Sequence, residues 1–369
     1  MVSSYSIGGQ NVVDQFASVL KRRQVVGARL TALQTVHVLR QVISLSEFST
    51  IEEAVEILKI VGQQLQQVQP KGRIEHTVGN VVLKIIHVLK EEHLSNSTSR
   101  PSQSFSLANF VLMGQPRRQH RTVIKILGPS SKSEDNQITE HNGFGGFLKP
   151  VIIDAIQDVQ YELEAVYENV AKNARDHIHS DEIILTIGAS RTVETFLKSA
   201  GHHRKFTVIV SETSPSNSGH SMARSLSSAG ISTFLVPDSS IYAMMSRVNK
   251  VVLGAHAILA NGGFFATSGS TLVAMAARAH STPVVVCAGQ FKFTPKWTIY
   301  RNHGTLDFGD PSQVLGFQEK KFNDNVDIVN PTFDYVGPEL VDAFITNDGD
   351  HPPSSVYRLI KESYGDMEL

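Results

Sequence analysis

From residue 183 onward, short runs of β-branched and other apolar residues recur, each followed by a stretch with helical spacing. The runs at 183–187, 207–210, 233–236, 250–253 and 284–287, with another near 343–346, are nearly continuous in apolar character. A strand with one wet face would alternate instead, so these strands are predicted to be covered on both faces. Helical stretches at 193–199, 221–229 and 272–280 lie between them. Such alternation predicts a doubly wound parallel sheet whose pockets open at the carboxyl ends of its strands.

The first part of the chain has a different rhythm. Up to about residue 94 the apolar residues recur at helical spacing with few turn signals. Val78, Val81, Val82, Ile85 and Leu89 share one arc of a helical wheel, with Asn80, Lys84, His87 and Lys90 opposite, which predicts an amphipathic helix. Residues 95–145 are rich in Ser, Pro, Gly and charge, as in a mobile linker, and only 105–113 has the apolar density for a short helix. Ile152, Ile156, Val159, Leu163, Val166, Val170 and Ala174 then form a second stripe. A helix over 151–178 would be roughly 40 Å long, enough to join two domains. The expected fold class is therefore α/β: an all-helical domain at 1–94, a linker at 95–145, a connecting helix at 146–180 and a Rossmann-like domain at 181–369.

Composition narrows the partners. With 34 basic and 35 acidic residues the net charge is -1, so no overall field draws the chain to nucleic acid or anionic lipid. The opening residues lack the pattern of a secretory signal, and no apolar run approaches bilayer-spanning length. The single cysteine, Cys287, allows neither an internal disulfide nor a thiolate cluster. A cytoplasmic protein is expected.

The strand ends are where chemistry would sit. Gly188-Ala189-Ser190-Arg191-Thr192 makes a strand-turn-helix junction without the glycines of a dinucleotide fingerprint, although Glu212 stands where a ribose-binding acid would. Ser190 lacks the second glycine of a nucleophile elbow and is expected to cap a helix. His177/His179 and His202/His203 are the closest histidine pairs, and neither has the spacing of a zinc motif. No phosphate loop of the GxxxxGK type is present, and no cofactor is expected. Residues 254–271 read as a loop with tight turns in which Ser270 or Thr271 caps the next helix. That geometry suits a phosphate, but the segment has no carboxylate or lysine to act on one.

Here the sequence resembles a known family, that of methylthioribose-1-phosphate and ribose-1,5-bisphosphate isomerases. Those enzymes carry Gly-Ala-Asp-Arg-Ile, Asn-Gly-Asp and Asn-Lys-x-Gly-Thr at the same spacing. The first Asp is replaced by His256 and its Arg by Ala257, the catalytic Asp by Gly263, and the Asn-Lys pair by Ala266 and Thr267. Gly188 stands in place of the catalytic cysteine, and Val26-Gly27-Ala28 resembles the phosphate-gripping Arg-Gly-Ala. Losing a general acid or base alone costs about 10²- to 10⁴-fold, so the resemblance implies a degenerate active site.

The same family includes the alpha, beta and delta regulatory subunits of the guanine-nucleotide exchange factor for eukaryotic initiation factor 2. The segments 186–194, 245–251 and 280–283 are similar to that branch, and the tail 333–341 has beta-type wording. The resemblance implies a non-catalytic subunit that assembles with alpha, gamma, delta and epsilon chains and binds the alpha subunit of initiation factor 2, phosphorylated or not. The expected partner contacts are Thr77, Asn80, Lys84 and His87 on the helical domain, and Arg191, Glu212, His220 and Arg247 on the second. Two alternatives stay open: a residual sugar-phosphate isomerase, and a pocket that senses a sugar phosphate or nucleotide.

Overall fold

The computed structural model describes residues 7–25, 27–68, 75–97, 145–297, 307–316 and 326–365. Its amino-terminal part is a bundle of α1 (Ile7–Lys21), α2 (Ala28–Leu45), α3 (Ile51–Gln67) and α4 (His76–Ser97). Helix α3 starts at a capping box: Thr50 Oγ1 accepts from the Glu53 amide at 3.2 Å, and the Glu53 carboxylate accepts from the Thr50 amide at 3.4 Å. The helix expected at 105–113 and residues 98–144 of the linker expected at 95–145 lie outside the described residues, while 95–97 and 145 belong to the flanking helices.

The predicted long helix starts earlier and stops sooner than the apolar stripe suggested. Helix α5 spans Gly145–Lys172 with Pro150 inside it, and after Asn173 a short α6 (Ala174–His177) follows. It packs against α2 and α4 on one side and against α7 (Arg191–Gly201) on the other. Its stripe, including Ile152, Ile156, Val159, Leu163, Val166 and Val170, is buried in a core that runs without a break from the bundle to one face of the sheet.

That sheet has seven strands in the order β11-β10-β7-β4-β1-β2-β3. The strands are β1 (Ile183–Ile187), β2 (Thr207–Ser211), β3 (Ser232–Val236), β4 (Lys250–Gly254), β7 (Val284–Cys287), β10 (Ala343–Thr346) and β11 (Gly349–His351). All pairings are parallel except β10 with β11. Helices α8 (Ser218–Ser228), α9 (Ile241–Met245), α10 (Ser270–Ala279) and α11 (Val356–Tyr364) complete the domain. The second face of the sheet buries Leu185, Ile187, Ile209, Val251, Leu253, Val284 and Val286 with Val273, Ala274 and Ala277 of α10.

One element departs from the sequence reading. The glycine-rich stretch expected as a loop contains two strands, β5 (Ala257–Leu259) and β6 (Phe264–Thr267). They join β8 (Phe293–Thr294) and β9 (Phe333–Val336) in a second sheet of order β8-β5-β6-β9. Strand β6 pairs antiparallel with β9 in the register Phe264↔Val336, Phe265↔Tyr335, Ala266↔Asp334 and Thr267↔Phe333.

Candidate functional site

At the end of β1 the chain turns through Gly188, whose φ of 71° favours glycine. The Gly188 amide donates to Thr213 Oγ1 at 2.9 Å. A Cβ at this position would sit 3.2 Å from Thr267 Oγ1, so Thr267 already fills the space. Ser190 stands at the N-cap of α7 but makes no side-chain capping bond, which corrects the capping expectation. Its side chain instead lies over Gly254 at the end of β4, where an added Cβ would come within 2.6 Å of Ser190 Cβ.

The β2–α8 loop is held by one carboxylate. Asp238 Oδ1 accepts from Ser211 Oγ and from the Thr213 amide at 2.9 Å, while Oδ2 accepts from the Ser214 amide at 2.7 Å. Thr213 and Asn217 both carry positive φ, 63° and 51°, a conformation that side chains seldom adopt without such ties. The loop presents half-buried Glu212, and the first turn of α8 exposed His220, on the side where Arg191 is exposed at the start of α7. Arg247 is exposed too, but it precedes β4 and so lies at the amino end of the sheet, away from the other three.

The segment expected to grasp a phosphate is satisfied from within. The N-cap of α10 is Gly269, with φ 96° and no side-chain capping bond of its own. Asp334 of β9 supplies the anion, with Oδ2 accepting from the Gly269 amide at 2.6 Å and the Thr271 amide at 3.4 Å. Ser270 Oγ donates to the Thr267 carbonyl and Thr271 Oγ1 to the Tyr335 carbonyl, so neither caps the helix. Asp334 had no recognised role in the sequence; an acid inside an apolar strand was the available signal.

The helical-domain candidates are placed differently from expectation. Thr77 and Asn80 are buried, 1% and 2% exposed, because α4 is packed nearly all round. Thr77 Oγ1 donates to Glu75 Oε1 at 2.7 Å, and Asn80 Nδ2 to the Phe291 carbonyl at 3.0 Å. Lys84 Nζ pairs with the Glu162 carboxylate of α5, and His87 Nε2 lies 3.3 Å from Glu91 Oε1. The polar side of α4 is therefore a packed seam, and the expectation of a wet contact face is corrected for Thr77 and Asn80.

Near the start of α4, His256 Nε2 lies 3.6 Å from Glu75 Oε2 and its ring stacks on Phe333 at 4.2 Å. His76 stacks on Phe265 at 6.3 Å, and its Nδ1 is shut off from water without a partner. Burial is the main reason its pKa falls to about 3, with the charges of Lys296 and His256 adding to the effect. Lys292, which the sequence reading passed over, is enclosed and donates to the Ala255 carbonyl at 2.7 Å; burial draws its pKa down to about 8. Cys287 is buried in β7 and burial pushes its thiol upward, as for a small core hydrophobe. Among the described residues no group of three or more metal-capable side chains gathers; His177 of the first histidine pair meets Asp350 at 2.8 Å.

The front of the sheet also carries exposed apolar residues. Phe234 on the edge strand β3, Tyr242 on α9, and Leu272 and Met275 on α10 are 58%, 61%, 54% and 60% exposed. By register Phe234 is level with Ile209, which is buried on the α9/α10 face, so these four share one side of the sheet. Among the described residues no strand pairs with the outer edge of β3.

Comparison with known proteins agrees with this fold. The model of the initiation factor 2 subunit family matches residues 24–353. The translation initiation factor eIF2B subunit beta of Dictyostelium discoideum is 38% identical over 378 residues, covering 96% of each chain. A ribose 1,5-bisphosphate isomerase of Pyrococcus furiosus is 31% identical over 220 residues, covering 59% of this chain and 68% of the enzyme. The fold matches a chain in the crystal structure of the tetrameric eIF2B-beta2-delta2 complex from C. thermophilum, with a TM-score of 0.67 at 24% identity, covering 96% of this chain and 95% of that one. The family model spans most of the sequence and the beta subunit aligns along nearly all of it: this chain belongs to the initiation factor 2 subunit family.

Proposed function

We propose that this chain is a non-catalytic, beta-type regulatory subunit of the guanine-nucleotide exchange complex for initiation factor 2. It works in the cytoplasm with alpha, gamma, delta and epsilon subunits. The observation that carries the reading is the state of the two catalytic positions inferred from the isomerases. A side chain added at Gly188 would meet Thr267 and one added at Gly263 would meet Tyr335, which supports a site that has given up its acid-base pair.

The exposed strip of Phe234, Tyr242, Leu272 and Met275 is the surface offered to a delta-type subunit, since aromatic and Met side chains are enriched at such contacts. Its likeness to a chain of a beta2-delta2 tetramer supports that partner. Arg191, Glu212 and His220 form the polar face offered to the alpha subunit of initiation factor 2, with Lys84 and His87 as secondary contacts and Arg247 serving a separate surface. Reconstitution of the exchange complex with Arg191→Ala and His220→Ala together tests the polar face. Assembly intact with weakened inhibition by phosphorylated initiation factor 2 supports it; unchanged inhibition removes those residues from the contact.

A further inference from the structure

Gly263 has an ordinary backbone conformation, since its φ is not among the positive ones. Glycine is therefore not demanded there by the chain's own geometry. What excludes a side chain is a neighbour. A Cβ on Gly263 would stand 2.7 Å from Cζ and 2.8 Å from Cε2 of Tyr335, and nearer still to its hydroxyl. Real Cβ atoms do not approach other atoms so closely.

Tyr335 is not free to step aside without cost. It sits on β9 directly opposite Phe265 of β6, and the two rings are 5.7 Å apart. Its hydroxyl accepts from Asn261 Nδ2 at 2.8 Å, and Asn261 Oδ1 in turn accepts from the Gly263 amide at 3.0 Å. The loop before β6 thus clasps the phenol with one side chain and makes room for it with one missing side chain. Phe265 also stacks on His76, so the row reaches from Tyr335 to the start of α4.

We propose that Tyr335 is the resident occupant of the space in front of Gly263, an internal ligand that makes a side chain at 263 and a tyrosine at 335 mutually exclusive. The position is filled by the chain's own phenol and closed to small phosphorylated sugars. This is steric and local; it rests on the same packing at Gly263 that supports the non-catalytic reading, and the test below reads that packing without reading subunit assembly. It also means that restoring a carboxylate at 263 takes two substitutions, because the first alone meets the ring.

The test is a double-mutant cycle on the full chain, read by thermal unfolding. Gly263→Ala in the unmodified background is expected to lower Tm by about 2 °C or more, the size of an overpacked site in a chain of this class. In the Tyr335→Ala background the same substitution is expected to leave Tm unchanged or raise it slightly, because alanine restricts the unfolded chain more than glycine. Tyr335→Leu keeps an apolar body on β9 but ends short of Gly263, and it carries the same comparison where Tyr335→Ala does not fold. Equal losses from Gly263→Ala in both backgrounds overturn the proposal. So does a rise in Tm of the unmodified chain with ribose 5-phosphate.

Discussion

Asn80 Nδ2 donates to the main-chain carbonyl of Phe291 at 3.0 Å, and both residues lie in the interior where α4 meets the turn after β7. A polar residue on a helix wheel thus became a tie between two halves of the molecule. Lys84, one turn on, does the same toward α5 through Glu162.

Replacing Asn80 with alanine removes the donor and leaves the Phe291 carbonyl buried without it. The expected loss is about 1–3 kcal/mol of folding stability, measured by chemical denaturation. A loss within a few tenths would show that water or a shifted backbone repairs the site.

Stability should also fall in acid through His76. Its folded pKa is about 3, against 6.5 for the ordinary group. Between those values the unfolded chain binds a proton that the folded chain refuses. The stabilisation is therefore complete above pH 6.5 and declines as pH falls toward 3, at up to about 1.4 kcal/mol per pH unit. His76→Gln should flatten this slope over the same window. An unchanged slope would assign the acid sensitivity to other groups.

Asp334 carries the anion at the start of α10. Asp334→Ala should cost about 1–2 kcal/mol by removing the acceptor for the Gly269 and Thr271 amides. Asp334→Asn, which keeps an acceptor but no charge, should cost less. Equal losses for the two variants would mean that the charge, which both remove, matters there rather than the acceptor that asparagine keeps.

Phe234 and Tyr242 are exposed in the isolated chain, so Phe234→Glu with Tyr242→Glu should change its stability by no more than about 0.5 kcal/mol per site. The same pair should block association with a delta-type subunit in size-exclusion chromatography. Association at wild-type level would move the docking surface elsewhere.

The seven-stranded sheet was legible because its central strands are continuous apolar runs, a pattern that only two-sided burial explains. The second sheet was not. Strands β5 and β8 span three and two residues, and β6 finds its partner β9 almost seventy positions later, beyond any local periodicity. Thr77 and Asn80 misled for a related reason: residue type reports polarity, whereas burial was set by elements far off in the chain, such as Phe291. Arg191, Glu212 and His220 come after the carboxyl ends of β1 and β2, whereas Arg247 comes before β4, and chain order alone separates them. The residues now covering Gly188, Gly254 and Gly263 were visible as letters, but their seating on glycine needed three dimensions.

The most direct measurement is the mass of the complex recovered when the tagged chain is coexpressed with alpha, gamma, delta and epsilon subunits. The expected result is an assembly that contains all of them, with no product released by this chain on its own when given ribose 1,5-bisphosphate. A lone self-associating chain that turns over the sugar phosphate would contradict it.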